Sequence, residues 1–217
     1  MSRKPFYVTT PIYYVNDKPH LGHAYTTVAT DAKARFHRLR GEEARMLTGT
    51  DEHGQKLEQA AREAGMDPLP FADQNSEKFR ELWKKLNIRF DDYIRTTEER
   101  HKRGVQELWR RVAAAGDIYK DEYEGQYCVS CENYLTSLQL VDGNCPDCGR
   151  PVDTVREESY FFRLSKFEGP LLQHYERNPK FIQPDARRNE IVSFVQGGLR
   201  DLSVSRTSFK WGIPVPG

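Results

Sequence analysis

Four cysteines are the only ones in the chain, and they stand as two close pairs, Cys128 with Cys131 and Cys145 with Cys148, with 13 residues between the pairs. Each C-x-x-C can wrap one tight turn so that both thiolates face a common centre, and two such turns complete a tetrahedral four-sulfur site. A site with four sulfurs has no open position, so the expected metal is structural: one zinc holding together a segment too small to hold itself. Iron would suit the same sulfurs. Disulfides would suit the count, but clustering in a chain without secretory features favours metal.

A second constellation is His20-Leu21-Gly22-His23, which follows an apolar run and a loop and opens a helical pattern. Free amides at a helix start and the positive end of its dipole attract a phosphate. Two histidines three apart would add donors on the same side of the first turn, and Gly22 would let a flat ring or a phosphate approach the backbone. By itself HxGH is also compatible with a helix start carrying two surface histidines.

The third constellation is Thr48-Gly49-Thr50-Asp51-Glu52-His53-Gly54. In an open α/β sheet the loops beyond the carboxyl ends of strands form the ligand crevice, so this loop should face the His20 loop. Asp51 could meet an ammonium group, and Tyr14 could add a hydroxyl or a ring face. A divalent metal on Asp51, Glu52 and His53 is the weaker reading, because neighbouring carboxylates in an extended chain point apart.

The elements that must hold these residues follow from local pattern. Phe6 to Thr10 reads as a buried strand ending at Pro11, His20 to Leu39 as a helix closed by a left-handed Gly41, and Ala44 to Leu47 as a second strand entering the polar loop. Helices are expected from Gln55 to Ala64 and from Pro70 to Leu86, the latter with a stripe of Phe79, Leu82, Trp83 and Leu86. A third strand fits Tyr93 to Arg95. Thr96 and Glu99 match a capping box before a helix whose stripe is Val105, Leu108, Trp109 and Val112, and both stripes are read as core. Strands alternating with helices predict an α/β fold with a Rossmann-like parallel sheet.

After Gly116 the texture changes to short aromatic and β-branched stretches with turn residues such as Asp142-Gly143-Asn144. The expected organisation is a first half-domain over 1–116, an insertion over 117–183 with its knuckle at 126–150, and a return segment over 184–217. That return begins as helix near Pro184 and continues as a strand around LRDLSVSR. The chain ends at WGIPVPG without a terminal element, so it is expected to be a fragment.

Composition narrows the classes. With 217 residues, 37% hydrophobic and 30% charged, the chain can bury a core. No apolar run approaches the roughly 20 residues that a membrane span needs. The amino-terminal stretch lacks a secretory apolar segment, so a cytoplasmic location without membrane contact is expected. Lys plus Arg number 33 against 32 Asp plus Glu, so no global field draws in nucleic acid. The local clusters Arg100, Lys102 and Arg103, Arg110 and Arg111, and Arg187 and Arg188 are read first as solvated helix faces.

Taken together, PIYYVNDKPHLGH, LTGTDEHGQK, RTTEERH, the cysteine knuckle, SVSR and WGIPVPG resemble bacterial methionyl-tRNA synthetases through nearly the whole chain. HLGH is similar to the ATP-binding signature of class I aminoacyl-tRNA synthetases, whereas TGTDEHG is particular to the methionine enzymes. The resemblance implies a translation enzyme, an aminoacyl-tRNA ligase with a catalytic domain split by a zinc-bearing connective domain. It implies that methionine is activated by ATP with Mg²⁺ and passed to tRNA(Met). On that resemblance His20 and His23 are the catalytic pair and, with Gly22, bind ATP; Ile12, Tyr14 and Asp51 bind methionine; the four cysteines bind zinc. The family's KMSKS loop, later catalytic strand and helices, and anticodon-binding domain are not found in these residues, so the chain by itself is expected to be inactive or weak, and monomeric.

Two other readings compete. A zinc-knuckle RNA-binding module without catalysis would use the cysteines and arginines but leaves HLGH and TGTDEHG unused. A pantetheine-phosphate or nicotinamide-nucleotide adenylyltransferase would use the histidines but needs no four-cysteine insertion.

Overall fold

Strand β3 (Ala44–Asp51) carries the polar run that ends in Thr-Gly-Thr-Asp, and it is the middle of a parallel sheet. In this computed structural model, residues 4–131, 133–135, 139–207 and 209–216 are described. Parts of the expected 126–150 knuckle, 132 and 136–138, and both chain ends lie outside them. Strands β1 (Phe6–Thr9) and β2 (Tyr13–Tyr14) share one edge of β3, with Thr9 opposite Leu47 and Tyr14 opposite Asp51. Strand β4 (Asp92–Arg95) takes the other edge, with Asp92 opposite Leu47 and Arg95 opposite Thr50.

The loop expected at Thr48 to Asp51 is therefore strand. Local polarity misleads here because the hydroxyls are paired inside the fold: Thr48 with Thr10 at 2.8 Å, and Thr50 with Glu52 at 2.6 Å and Ser76 at 3.1 Å. Gly49 is required between them, since a Cβ at that position would lie 2.0 Å from the Ile94 carbonyl oxygen.

Helix α1 (Leu21–Leu39) ends at Arg40 and turns through Gly41 at φ 72°, as the left-handed cap demands. Helices α2 (Gln55–Glu63) and α3 (Pro68–Lys85) follow. Most of the α3 stripe forms core: Phe79 and Trp83 pack with Tyr13, Val15, Leu57, Ala72 and Tyr93, and Leu82 lies partly buried against them, while Leu86 is exposed. The stripe of α4 (Glu99–Ala114) does not. Val105 and Leu108 are exposed, Leu108 to 63%, and no residue of this helix is buried. Helical spacing marks an apolar face without saying what covers it. The expected capping box also fails, because the Thr96 hydroxyl accepts from the Glu52 amide at 2.8 Å instead of from its own helix.

Compactness divides the chain into Met1–Gln106 with Phe209–Pro214, and Glu107–Ser208 with Val215–Gly217. This differs from the boundaries expected at Gly116 and Pro184. The first cut falls inside α4, which runs unbroken from Glu99 to Ala114 and stops before Gly116 at φ 77°. The second differs because the helix after Pro184 belongs with the preceding one: α5 (Glu168–Arg177) and α6 (Asp185–Gln196) share a small core of Tyr175, Val195 and Leu199.

The second unit is an antiparallel sheet. A long hairpin pairs β5 (Ile118–Cys128) with β7 (Asp153–Phe162), from Ile118 opposite Phe162 to Tyr127 opposite Asp153. Short strands β6 (Asn133–Leu135) and β8 (Leu202–Ser203) add to its edges.

Two substitutions test this account. Gly49→Ala is expected to destabilise the chain by about 3 kcal/mol or more, because rigid backbone must move. Phe79→Ala in the core is expected to cost about 3–5 kcal/mol. Urea unfolding followed by circular dichroism measures both, and wild-type midpoints would contradict the packing described.

Candidate active site

The turn from β2 into α1 builds a cavity of about 470 Å³ lined by Ile12, Tyr13, Tyr14, Asn16, Lys18, His20 and His23, among others. The segment that forms it is anchored from outside: Val15 is buried and its carbonyl accepts from the Asn75 side chain at 2.7 Å. Tyr13 is fixed by its hydroxyl against Thr27 at 2.9 Å.

The two histidines cap α1 reciprocally. His20 Nδ1 accepts from the Gly22 amide at 3.1 Å, and His23 Nδ1 accepts from the His20 amide at 3.2 Å. With both Nδ1 atoms accepting, the neutral rings carry their protons on Nε2. The rings stack 3.7 Å apart, so two Nε2 donors lie side by side at the helix start. One of the amides expected to be free at this helix start, that of Gly22, is thus taken by His20, and the ring nitrogens add donors there. Gly22 has a local reason as well: a Cβ there would come within 2.9 Å of His20 Cε1 and displace the capping ring. The His23 pKa is lowered by burial first and by His20 second, which keeps the ring neutral.

Asp51 does not line the cavity wall in the way the sequence suggested, but it sits directly beside Tyr14 across the β2–β3 ladder. Aligned residues of a parallel pair share a face. Tyr13 and Thr50 are buried on one face; Tyr14, 45% exposed, and Asp51 are on the other. The Lys56 ammonium lies over the Tyr14 ring, 5.4 Å from its centroid.

The next residue was missed by sequence reasoning. Glu52 is 0% exposed, and its carboxylate accepts from Thr50, from Arg95 Nε at 2.7 Å and from Thr97 at 2.5 Å. Burial, the largest effect on Arg95, opposes its charge, yet bonds to Glu52 and Asp73 outweigh it and raise its pKa. The Trp211 indole donates to the Glu52 carbonyl. A carboxylate so fully engaged is not available to a divalent metal, which removes the Asp51-Glu52-His53 metal reading. An arginine in RTTEERH and an acid pair in TDEHG were visible, but nothing in one dimension pairs them.

The cysteines are brought together as expected. Their sulfurs lie within 4.8 Å of one another, with Cys128 to Cys148 at 3.5 Å and Cys131 to Cys145 at 3.9 Å. Tetrahedral bonds of about 2.3 Å imply sulfur separations of about 3.8 Å, so the set could hold a metal ion. Tight turns shape it: Asp142 and Gly143 both take positive φ in a two-residue hairpin, and Gly149 at φ 68° lets its amide reach the Cys145 carbonyl at 2.8 Å. The Cys131 thiol is pushed up to about 12 by hydrogen bonding to Cys148 first, then by burial, so a metal would have to displace protons on binding.

His53 supplies a pH test. Its pKa is lowered from 6.5 to about 4, chiefly by burial, with Lys102 adding to the effect and Glu52 opposing it. Between those values the unfolded chain binds a proton that the folded chain does not, so stability falls as pH drops from 6.5 toward 4. Thermal midpoints should fall across that window and fall less in His53→Gln. An identical slope in the variant would assign the effect elsewhere.

A sequence model for the family described as tRNA synthetases class I (M) matches residues 6–154 and 149–217. The methionine--tRNA ligase of Caldanaerobacter subterraneus subsp. tengcongensis is 56% identical over 99% of this chain, and that of Clostridium perfringens is 54% identical over 99%. The chain spans 34% of the length of each. A solved structure of Mycobacterium tuberculosis methionyl-tRNA synthetase in complex with methionyl-adenylate is 53% identical, with a TM-score of 0.95 over 99% of this chain and 43% of that one. With a family match along nearly its whole length, a superposable fold and the paired histidines at the start of α1, this chain belongs to the methionine group of the class I tRNA synthetases.

Proposed function

We propose that this chain is the substrate-activating part of a methionine--tRNA ligase, in which methionine carboxylate attacks the α-phosphorus of ATP to give methionyl-adenylate and pyrophosphate. The methionyl group then passes to the 3′-terminal adenosine of tRNA(Met). The observation that carries this reading is the close overlay on a synthetase that holds methionyl-adenylate.

His20 and His23 act as the catalytic pair, their Nε2 donors meeting negative charge as it builds on the phosphates. Gly22 lies against adenine. Asp51 pairs with the methionine ammonium, and Ile12 and Tyr14 form the wall around the side chain. A thioether offers almost no hydrogen bonding, so selection rests on shape and ring contact. Mg²⁺ arrives with ATP and neutralises phosphate charge. Zinc is held by Cys128, Cys131, Cys145 and Cys148, where it staples a knuckle whose buried cluster, among the described residues, is Cys128, Leu135 and Cys145 with a few partly buried neighbours. Among the described residues no helix is long and apolar enough to cross a membrane; we assign the enzyme to the cytoplasm and expect this chain by itself to be a monomer.

Methionine-dependent exchange of pyrophosphate into ATP tests the reading in a protein extended to the length of its relatives. Exchange with methionine and not leucine is expected, and His23→Ala should lower kcat about 100- to 1,000-fold. No exchange with any amino acid would overturn the assignment. Metal analysis should find one zinc per chain, absent from Cys145→Ser, and metal-free protein that keeps the wild-type melting profile would contradict the structural role.

A further inference from the structure

We infer that Glu52 is a positioning residue that turns Asp51 toward the substrate, and that Trp211 is the latch that holds it in place. The inference rests on the reading that Asp51 meets the methionine ammonium.

Asp51 and Glu52 are neighbouring acids where the central strand ends, and chain chemistry alone does not say which takes the face that carries Tyr14. The side chains decide it. Thr50 bonds to Glu52, so residues 50 and 52 share the inner face and Asp51 must take the other, next to Tyr14. Arg95 and Thr97 supply the inner face with a cation and a hydroxyl that both donate to the Glu52 carboxylate. Exchange of the two side chains would leave Arg95 facing a shorter carboxylate and put a longer one at the substrate. The backbone is fixed at the same point. The Glu52 amide donates to Thr96, the Glu52 carbonyl accepts from the Trp211 indole, and the Gly54 amide donates to the Trp211 carbonyl at 3.2 Å. Trp211 therefore grips residues 52 and 54 from a segment more than 150 positions away in sequence, in contact with the His53 ring at 5.4 Å. Gly54, at φ 103°, is the turn that this grip freezes.

Two variants that leave the buried acid in place test this in the extended protein: Trp211→Phe, which keeps the ring and removes the donor, and Thr97→Val, which removes one hydroxyl. Loss of orientation at Asp51 weakens methionine in ground state and transition state alike. The methionine KM in pyrophosphate exchange should therefore rise about tenfold in each, with the ATP KM and kcat within about twofold of wild type. A lower kcat with an unchanged methionine KM would mean that the residues only support the fold, and would overturn the inference while leaving the proposed function intact. Equal rises in both KM values would overturn it too, as general loosening. Absence of exchange in the wild-type protein would instead remove the proposed function and this inference with it.

Discussion

A carboxylate withdrawn completely from water has to be met by donors from every side, and meeting Glu52 is the demand around which the first unit is arranged. Its carboxylate takes partners from the end of β3 and the end of β4, and its backbone carbonyl accepts from the distant Trp211 segment, so a single buried residue ties together three stretches of chain. Coulomb attraction to Arg95 would not stabilise such a burial without the hydroxyls of Thr50 and Thr97, which satisfy the remaining lone pairs. That is why a run as polar as TGTDE can lie in the interior of a parallel sheet, where apolar residues are the rule. Buried Thr48 extends the same logic by pairing with Thr10 on the neighbouring strand.

The cavity next to this network depends on a second economy of atoms. His20 and His23 each use one ring nitrogen to cap α1 and keep the other for a ligand. Because capping fixes both rings, the side chains that would meet phosphate are held before any substrate arrives, which is the condition under which hydrogen-bond donors lower a barrier most. Anchoring extends outward through Tyr13 to Thr27 and through Val15 to Asn75, so the loop that forms the cavity wall is held at its middle as well as at its helix end.

The second unit is stabilised on different terms. Its β5–β7 hairpin carries stacked rings such as Tyr119 and Phe161, and its helices share a core of three buried residues. Around the thiols the buried set, among the described residues, is Cys128, Leu135 and Cys145. A core that small needs a cross-link, and four converging sulfurs are the means its own sequence offers.

The sequence by itself determined the period of the elements, the left-handed glycine at Gly41, the turn chemistry around Asp142 and Gly143, the four-thiol set and the histidine pair, because each is encoded within a few neighbouring residues. It also carried enough family likeness to name Ile12, Tyr14, Gly22 and Asp51 as site candidates. What tertiary structure decided is pairing across distance. It turned the expected Thr48–Asp51 loop into strand, moved Thr96 from a helix cap to the Glu52 amide, left Val105 and Leu108 of the α4 stripe exposed, and joined Trp211 to the TDEHG turn. These outcomes depend on which polar group meets which partner once water is excluded, and local sequence pattern does not contain that information.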